Sequence, residues 1–366
     1  MTFAPERVVR AHIQPVSSYS RGVSPEPSSA AIRLDWNESP FELSPKAQAV
    51  YDRFRAGNRY PDFDQQRLIE ALASYIGTSP DRVIAGAGLD DVFTTTALTI
   101  IDAGDDVIIS DPTFGIYRSL FALHGARIVN VPLGPAPDFT LPVDGIVGAI
   151  TERTKLIMIC NPNNPTGTLY DKAEIESIIQ QASCLVAIDE AYAEFSGVAH
   201  LDLANRYPNV ILYRTMSKFA GLAGYRVGYG IFPHSIMPWA KRATPAFCNL
   251  SAISAAVAVA SLQDLDHLMT NVRALVEERE RLVHELRCID GVEIYPSSAN
   301  FVLIALPVPD AGRIVSTLAE QQIFVRRFAD PALGLANCVR VSVGSRREND
   351  TFLSRFADTL SRAPVP

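Results

Sequence analysis

Lys218 ends the run Arg214-Thr215-Met216-Ser217-Lys218, just past an apolar, strand-like stretch, Val210-Ile211-Leu212-Tyr213. Eight residues on comes Arg226, within Gly224-Tyr225-Arg226-Val227-Gly228. A second apolar run, Leu185-Val186-Ala187-Ile188, leads into Asp189-Glu190-Ala191-Tyr192. Asn164 lies 25 residues before Asp189, in Asn161-Pro162-Asn163-Asn164-Pro165-Thr166-Gly167. An amine, a carboxylate, a phenol, an amide and a guanidinium are thus each set where an apolar run meets a turn. A lysine amine that can shed its proton forms a Schiff base with an aldehyde. A carboxylate such as Asp189 keeps a ring nitrogen protonated, so that the ring can accept electrons. Tyr192 and the Asn164 amide can donate to a ring oxygen. Thr215, Ser217 and the forked guanidinium of Arg226 suit phosphate oxygens. An aldehyde, a basic ring nitrogen, a ring oxygen and a phosphate together describe pyridoxal 5′-phosphate.

These residues need a frame that brings strand ends together. From Arg82 to Leu212, short apolar and often β-branched runs alternate with helical stretches: Val83-Ile84, Val107-Ile108-Ile109, Ile128-Val129, Leu156 to Ile159, Leu185 to Ile188 and Val210 to Leu212. That alternation predicts an α/β fold, with a large domain built on a mostly parallel sheet sandwiched by helices. Ligands of such sheets gather at the carboxyl ends of the strands, where the candidate residues stand. Leu68, Ile69, Leu72 and Ile76 mark one face of a helix from about Asp64 to Ile76. Gly86-Ala87-Gly88-Leu89-Asp90 leads into a helix from Asp91 to Ile100, and helix-start amides bind phosphate where glycines permit close approach. After about Pro245 the pattern changes. A long charged helix is predicted from Leu265 to Leu286, followed by strands at Val292 to Ile294, Phe301 to Ile304, Phe324-Val325 and Val339 to Val341. A helix from Ala311 to Gln321 lies among them, which makes a smaller α+β domain. The expected division is 1–46 as an N-terminal arm and part of the small domain, 47–245 as the cofactor-binding domain, and 246–366 as the small domain. Pro15, Pro25 and Pro27, among serines, predict an extended arm over 14–30.

Composition narrows the function classes. A chain of 366 residues, 48% hydrophobic and 20% charged, has the make-up of a soluble globular enzyme of more than one core. A net charge of -7 speaks against a nucleic-acid surface. The five cysteines, Cys160, Cys184, Cys248, Cys288 and Cys338, show no Cys-x-x-Cys spacing and fit reduced thiols of a cytoplasmic protein. No metal-ligand pattern is expected. Glu6, Arg7 and Arg10 interrupt the N-terminus where a signal peptide would be apolar. No apolar stretch approaches membrane-spanning length, and the Ala- and Ser-rich run Leu250 to Leu262 reads as a buried helix.

An ordered series of motifs across about 300 residues resembles the fold-type I pyridoxal-phosphate aminotransferases, and within them most closely the histidinol-phosphate aminotransferases. The series comprises Leu34-Asp35-Trp36-Asn37-Glu38-Ser39-Pro40, Asn58-Arg59-Tyr60-Pro61-Asp62, Gly86 to Asp91, Asp111-Pro112-Thr113-Phe114, the Asn-Pro-Thr-Gly run, Asp189 to Tyr192, Ser217-Lys218, Ser298-Ala299-Asn300-Phe301 and Val339 to Gly344. The resemblance implies that the amides of Leu89 and Asp90 hold the cofactor phosphate and that Phe114 stacks on its ring. It implies a homodimer in which Tyr60 reaches the neighbouring subunit's cofactor phosphate. Arg340 lies between valines, where an arginine needs a partner, and the resemblance makes it the clamp on a substrate α-carboxylate. Tyr19, Asn37 and Arg326 fall on the substrate side, with Arg326 at the phosphate of histidinol phosphate. Arg327 beside Arg326 leaves open which of the two faces the substrate.

The implied reaction passes an amino group between glutamate/2-oxoglutarate and a partner, either a 2-oxo acid or a phosphorylated ketone such as imidazole acetol phosphate. Lys218, Asp189 and Tyr192 are the expected catalytic set. Ser39 stands where the family has a second asparagine, Trp36 precedes Asn37, and Cys248 replaces an aromatic. These departures lie on the substrate side. They keep open an aminotransferase for an aromatic or other biosynthetic amino acid, or a decarboxylase like those acting on threonine phosphate. A non-catalytic binding protein is disfavoured by the complete set around Lys218.

Overall fold

The computed structural model of the protein describes residues 5–16, 31–245 and 249–362. Two sheets organise them. The strands in chain order are β1 Ile32–Leu34, β2 Val83–Ala87, β3 Asp106–Ile109, β4 Arg127–Asn130, β5 Thr154–Cys160, β6 Leu185–Asp189, β7 Val210–Thr215, β8 Val227–Ile231, β9 Glu293–Ile294, β10 Phe301–Ala305, β11 Ile323–Arg327 and β12 Cys338–Ser342. The seven-stranded sheet has the order β2-β8-β7-β6-β5-β3-β4 and the five-stranded sheet the order β1-β11-β12-β10-β9.

In the larger sheet β7, β6, β5, β3 and β4 run parallel, and β8 alone is reversed against β7 and β2. Both faces are dry. Leu156, Met158, Ala187, Ile211 and Tyr213 join one buried cluster, while Ile157, Ile159, Val186, Ile188, Val210 and Leu212 join another. A two-residue period therefore puts apolar side chains on both faces, which is why these strands read as continuous apolar runs. Helices cover them. Those that matter for the site are α1 Pro45–Arg53, α2 Gln66–Ile76, α3 Leu89–Ile100 and α4 Ile116–Leu123. The expected start of α2 at Asp64 moves to Gln66, because Gln65 takes a left-handed conformation with φ 48°.

The smaller sheet is mostly antiparallel, apart from β1 beside β11. Val302, Ile304, Ile323, Val325, Val339 and Val341 point into a third buried cluster with Leu282, Leu286, Phe352 and Phe356 of two long helices, Leu265–Leu286 and Arg346–Ser361. Their alternates, Phe301, Leu303, Arg326, Arg340 and Ser342, occupy the opposite face. The helix Ala252–Leu262 lies beyond the expected boundary near 245 and packs against α1 and α2. Sequence patterning missed β8, whose Gly228 and Gly230 hide its strand character. It also missed β1, which is only three residues long and pairs with a strand far along the chain.

Candidate active site

Three strand ends of the larger sheet supply the floor. Asp189 is the last residue of β6, register-matched to Cys160 of β5 and Tyr213 of β7. Its buried carboxylate accepts the Ala191 amide at 3.0 Å on Oδ1 and the Tyr117 hydroxyl at 2.5 Å on Oδ2. Burial pushes that carboxyl up to about 6, against the pull of these two donors. Tyr192 follows in the turn. Its hydroxyl oxygen accepts from Asn37 Nδ2 at 3.0 Å and Asn164 Nδ2 at 3.3 Å, which leaves its own proton to donate elsewhere. Lys218 stands just past β7, half-buried, with Nζ donating to the Trp36 carbonyl at 2.8 Å. Burial, helped by the positive charge of Arg340, lowers its amine to about 8. A lysine in this state supplies an appreciable neutral fraction near neutral pH, as a nucleophile or proton carrier must.

At the other end, β2 turns into α3 through Gly88, which has φ 87° and no side chain to cap the helix. Arg226, left-handed at φ 55°, brings its guanidinium over this turn, with Nη2 3.4 Å from Asp90 Oδ2. A Cβ on Gly88 would lie 2.2 Å from Arg226 Nη2, and one on Gly228 would lie 2.3 Å from the Leu89 amide nitrogen. Two glycines thus let a guanidinium and a helix start converge, a cradle suited to an anion. Thr215 and Ser217 are buried nearby, with the Ser217 amide donating to Thr215 Oγ1 at 3.1 Å. The donor set fits pyridoxal phosphate end to end: Arg226 with the Leu89 and Asp90 amides for phosphate, Asp189 for a protonated nitrogen, Tyr192 for a ring oxygen, and Lys218 for an aldehyde.

The smaller sheet closes the site from above. Arg340, in the middle of β12, donates through Nη1 to Asn164 Oδ1 at 2.5 Å and through Nη2 to the Asp35 carbonyl at 2.6 Å. Its guanidinium lies 5.3 Å from the Phe301 ring centre. Arg326 is its direct cross-strand neighbour, so the two side chains share a face. Arg327 faces the other way and forms an ion pair with Asp310 at 2.6 Å. Asn37, left-handed at φ 54°, is fixed by Ser342 Oγ, which accepts its amide at 2.8 Å, and by Asn300 Nδ2, which donates to its carbonyl at 3.1 Å. Hydrogen bonds therefore link Asn37, Asn164, Tyr192 and Arg340 into one cluster. Phe114 is half-buried, edge-on to Tyr117 at 5.4 Å. Tyr60 is 78% exposed, away from this cluster's interior. Tyr19 and Cys248 lie outside the described residues.

Several contributors escaped sequence reading. The Trp36 carbonyl and the Tyr117 hydroxyl carry no signal, since one is backbone and the other sits in an apolar helix. Behind Asp189 lies a buried charge network. Arg214 Nε donates to Glu190 Oε2 at 2.7 Å and its Nη1 to Glu194 Oε1 at 2.9 Å. Glu190 Oε1 accepts from the His200 amide at 2.6 Å, and Tyr75 donates to Glu194 Oε1 at 2.9 Å. Burial alone would raise Glu190, but Arg214 and His200 hold it below the usual range. The signal for Arg214 is the one that flags Arg340: an arginine inside an apolar strand. Among the described residues no cluster of His, Cys, Asp or Glu could hold a metal, and no helix is long and apolar enough to cross a membrane.

Comparison with known proteins shows the family. The family model of aminotransferase class I and II matches residues 29–356. A histidinol-phosphate aminotransferase of Roseiflexus castenholzii is 38% identical over 336 residues, covering 89% of each chain. One of Dehalococcoides mccartyi is 36% identical over 361 residues, covering 98% of this chain and 99% of its own. The crystal structure of the Sinorhizobium meliloti histidinol-phosphate aminotransferase in complex with pyridoxal-5'-phosphate superposes with a TM-score of 0.81 at 28% identity, covering 90% of this chain and 91% of that one. The chain belongs to the class I and II aminotransferases, with the fold-type I architecture of a mostly parallel sheet flanked by helices.

Proposed function

We propose that this aminotransferase uses pyridoxal phosphate held by Lys218 and exchanges an amino group between glutamate/2-oxoglutarate and histidinol phosphate/imidazole acetol phosphate. When bound, the cofactor supplies an aldehyde for amine exchange and a ring that accepts the electron pair left by a departing Cα proton. The chain's own residues do the rest. Lys218 Nζ, lowered to about 8, takes and returns that proton. Asp189 keeps the ring nitrogen protonated, Tyr192 donates its remaining hydroxyl proton to the ring oxygen, and Asn164 orients Tyr192. Phe114 covers the ring. Arg226, Thr215, Ser217 and the amides of Leu89 and Asp90 bind phosphate. Arg340 takes a substrate carboxylate, and Asn37 lines the substrate side. Exposed Tyr60, with exposed Phe63 and Tyr51 on neighbouring segments, supports a homodimer in which Tyr60 reaches the partner's cofactor phosphate.

The observation that carries the substrate reading is the register of Arg326 against Arg340. Two cations directly opposite on one sheet face repel, and a phosphate held by both would offset that repulsion. A phosphorylated substrate without an α-carboxylate meets both arginines with its phosphate, whereas glutamate meets Arg340 with its carboxylate. The same register singles out Arg326 over Arg327, whose partner is Asp310. The test is single-turnover absorbance of the cofactor with glutamate and with histidinol phosphate on Arg326→Ala and Arg340→Ala. Arg326→Ala should slow histidinol phosphate by about 10–100-fold and leave glutamate nearly unchanged, the worth of one charge-assisted contact. Arg340→Ala should slow both. Equal slowing by Arg326→Ala would assign that arginine to structure. Turnover of a plain aromatic 2-oxo acid in place of the phosphorylated ketone would move the substrate assignment to that class.

A further inference from the structure

Tyr117 lies at the start of α4, three residues after Phe114, with its ring fully buried. Its edge-to-face neighbours are Phe114 at 5.4 Å and Phe93 at 5.5 Å. Phe93 packs edge-on against Tyr213 at 4.9 Å, and Tyr213 is the residue beside Asp189 across the β6–β7 pair. The phenol is therefore clamped on several sides and its hydroxyl has a fixed position. That hydroxyl donates to Asp189 Oδ2 at 2.5 Å, while the Ala191 amide takes Oδ1. A carboxylate so held cannot rotate, and its remaining lone pairs point in set directions. A donor in a dry interior also favours the ionised carboxylate over the neutral one, opposing the burial that favours the acid. What ties Tyr117 to the candidate cofactor set is its hydroxyl on Asp189 and its ring against Phe114, so those are the two routes by which it would act on the cofactor.

We propose that Tyr117 is a positioning residue that holds Asp189 ionised and turned toward the cofactor's ring nitrogen. The inference rests on the cofactor reading above. Removing the hydroxyl while keeping the ring isolates it, and a cofactor analogue with C–H in place of the ring nitrogen separates the two routes. Full-length protein stripped of cofactor is titrated by fluorescence with pyridoxal phosphate and with its 1-deaza analogue, for the parent, Tyr117→Phe, Asp189→Asn and the double variant. Tyr117→Phe should weaken pyridoxal phosphate by about tenfold, one hydrogen bond to a charged group, and leave the deaza analogue within about twofold. The double variant should be no weaker than Asp189→Asn alone, since the tyrosine acts through the aspartate. Equal weakening of both cofactors by Tyr117→Phe, or of neither, overturns the proposal while the cofactor reading stands if Asp189→Asn still tells the two cofactors apart. If Asp189→Asn treats both cofactors alike, the cofactor reading falls and this inference with it.

Discussion

The two sheets present candidate residues in opposite ways. In the larger, mostly parallel sheet, Asp189 closes β6, Lys218 follows β7, and Leu89 and Asp90 open the helix after β2. Helices bury both faces, so chemistry is confined to what lies beyond the strand ends. In the smaller, mostly antiparallel sheet, Arg340 and Ser342 sit within β12 and Arg326 within β11, on the face turned away from the small core. A sheet with one face packed can offer the other along its length. The larger sheet therefore gives a rigid floor with few adjustable positions, and the smaller gives a patterned face along which polar residues are open to a substrate.

The sharpest break of that contrast is Lys218→Ala. It should lower kcat on the order of 10⁴-fold or more without destabilising the apoprotein in urea melts, since the change also removes the cost of a buried charge. A residue beyond a strand end carries chemistry and little fold. A large loss of stability would place Lys218 inside the packing instead.

Gly228→Ala tests the same sheet from inside a strand. The new Cβ would meet the Leu89 nitrogen at 2.3 Å and the Gly88 carbonyl carbon at 2.4 Å, both backbone atoms that cannot swing aside. Denaturant melts should show a loss of about 1–3 kcal/mol, together with weaker cofactor retention as the start of α3 shifts. Gly224→Ala is the control, because its Cβ would meet nothing within 4 Å. It should stay within about 0.5 kcal/mol of the parent.

Ser342→Ala probes the smaller sheet. It leaves the buried Asn37 amide without its 2.8 Å acceptor and removes the donor to Asn37 Oδ1 at 3.2 Å. A cost of about 1–3 kcal/mol in urea melts is expected. Substrate KM should rise while cofactor affinity holds, on the proposed placement of Asn37 at the substrate side. A loss of cofactor with unchanged KM would erase the division of labour between the sheets.

A further test concerns pH. Lys218 falls from its ordinary 10.5 to about 8 in the folded apoprotein. Below about 8 the amine is charged folded and unfolded alike, and the fold bears the cost of burying it. Between about 8 and 10.5 only the unfolded chain keeps the proton, so stability rises with pH across that window. Urea midpoints across it should climb for the parent relative to Lys218→Met. Identical slopes for the two proteins would mean that the amine is not buried.

How much was readable follows from the same contrast. Candidates of the larger sheet sit where an apolar run stops, and that punctuation is visible in one dimension. Arg340 was visible for another reason, as a charge between valines. Arg214 sends the same signal, but nothing nearby in sequence names its partners Glu190 and Glu194. Tyr117 was invisible, because a tyrosine in an apolar helix start looks like packing until its hydroxyl is seen on Asp189. Strand β8 was hidden because Gly228 and Gly230 read as a turn. Both are needed where Leu89, Phe232 and Val92 crowd the strand.

The sequence by itself determined the α/β alternation, the amine, carboxylate and phosphate-binding inventory, and the family resemblance, because local period and residue chemistry are written in order along the chain. Only the tertiary structure decided which arginine of the Arg326-Arg327 pair shares a face with Arg340, since that depends on the register between β11 and β12. It alone decided the state of Lys218 and Asp189, since proton affinity depends on burial and on charges that come from distant segments. Contacts such as Lys218 with Trp36 and Ser342 with Asn37 join residues 182 and 305 apart, and no local pattern can encode a meeting that only closure of the two sheets creates.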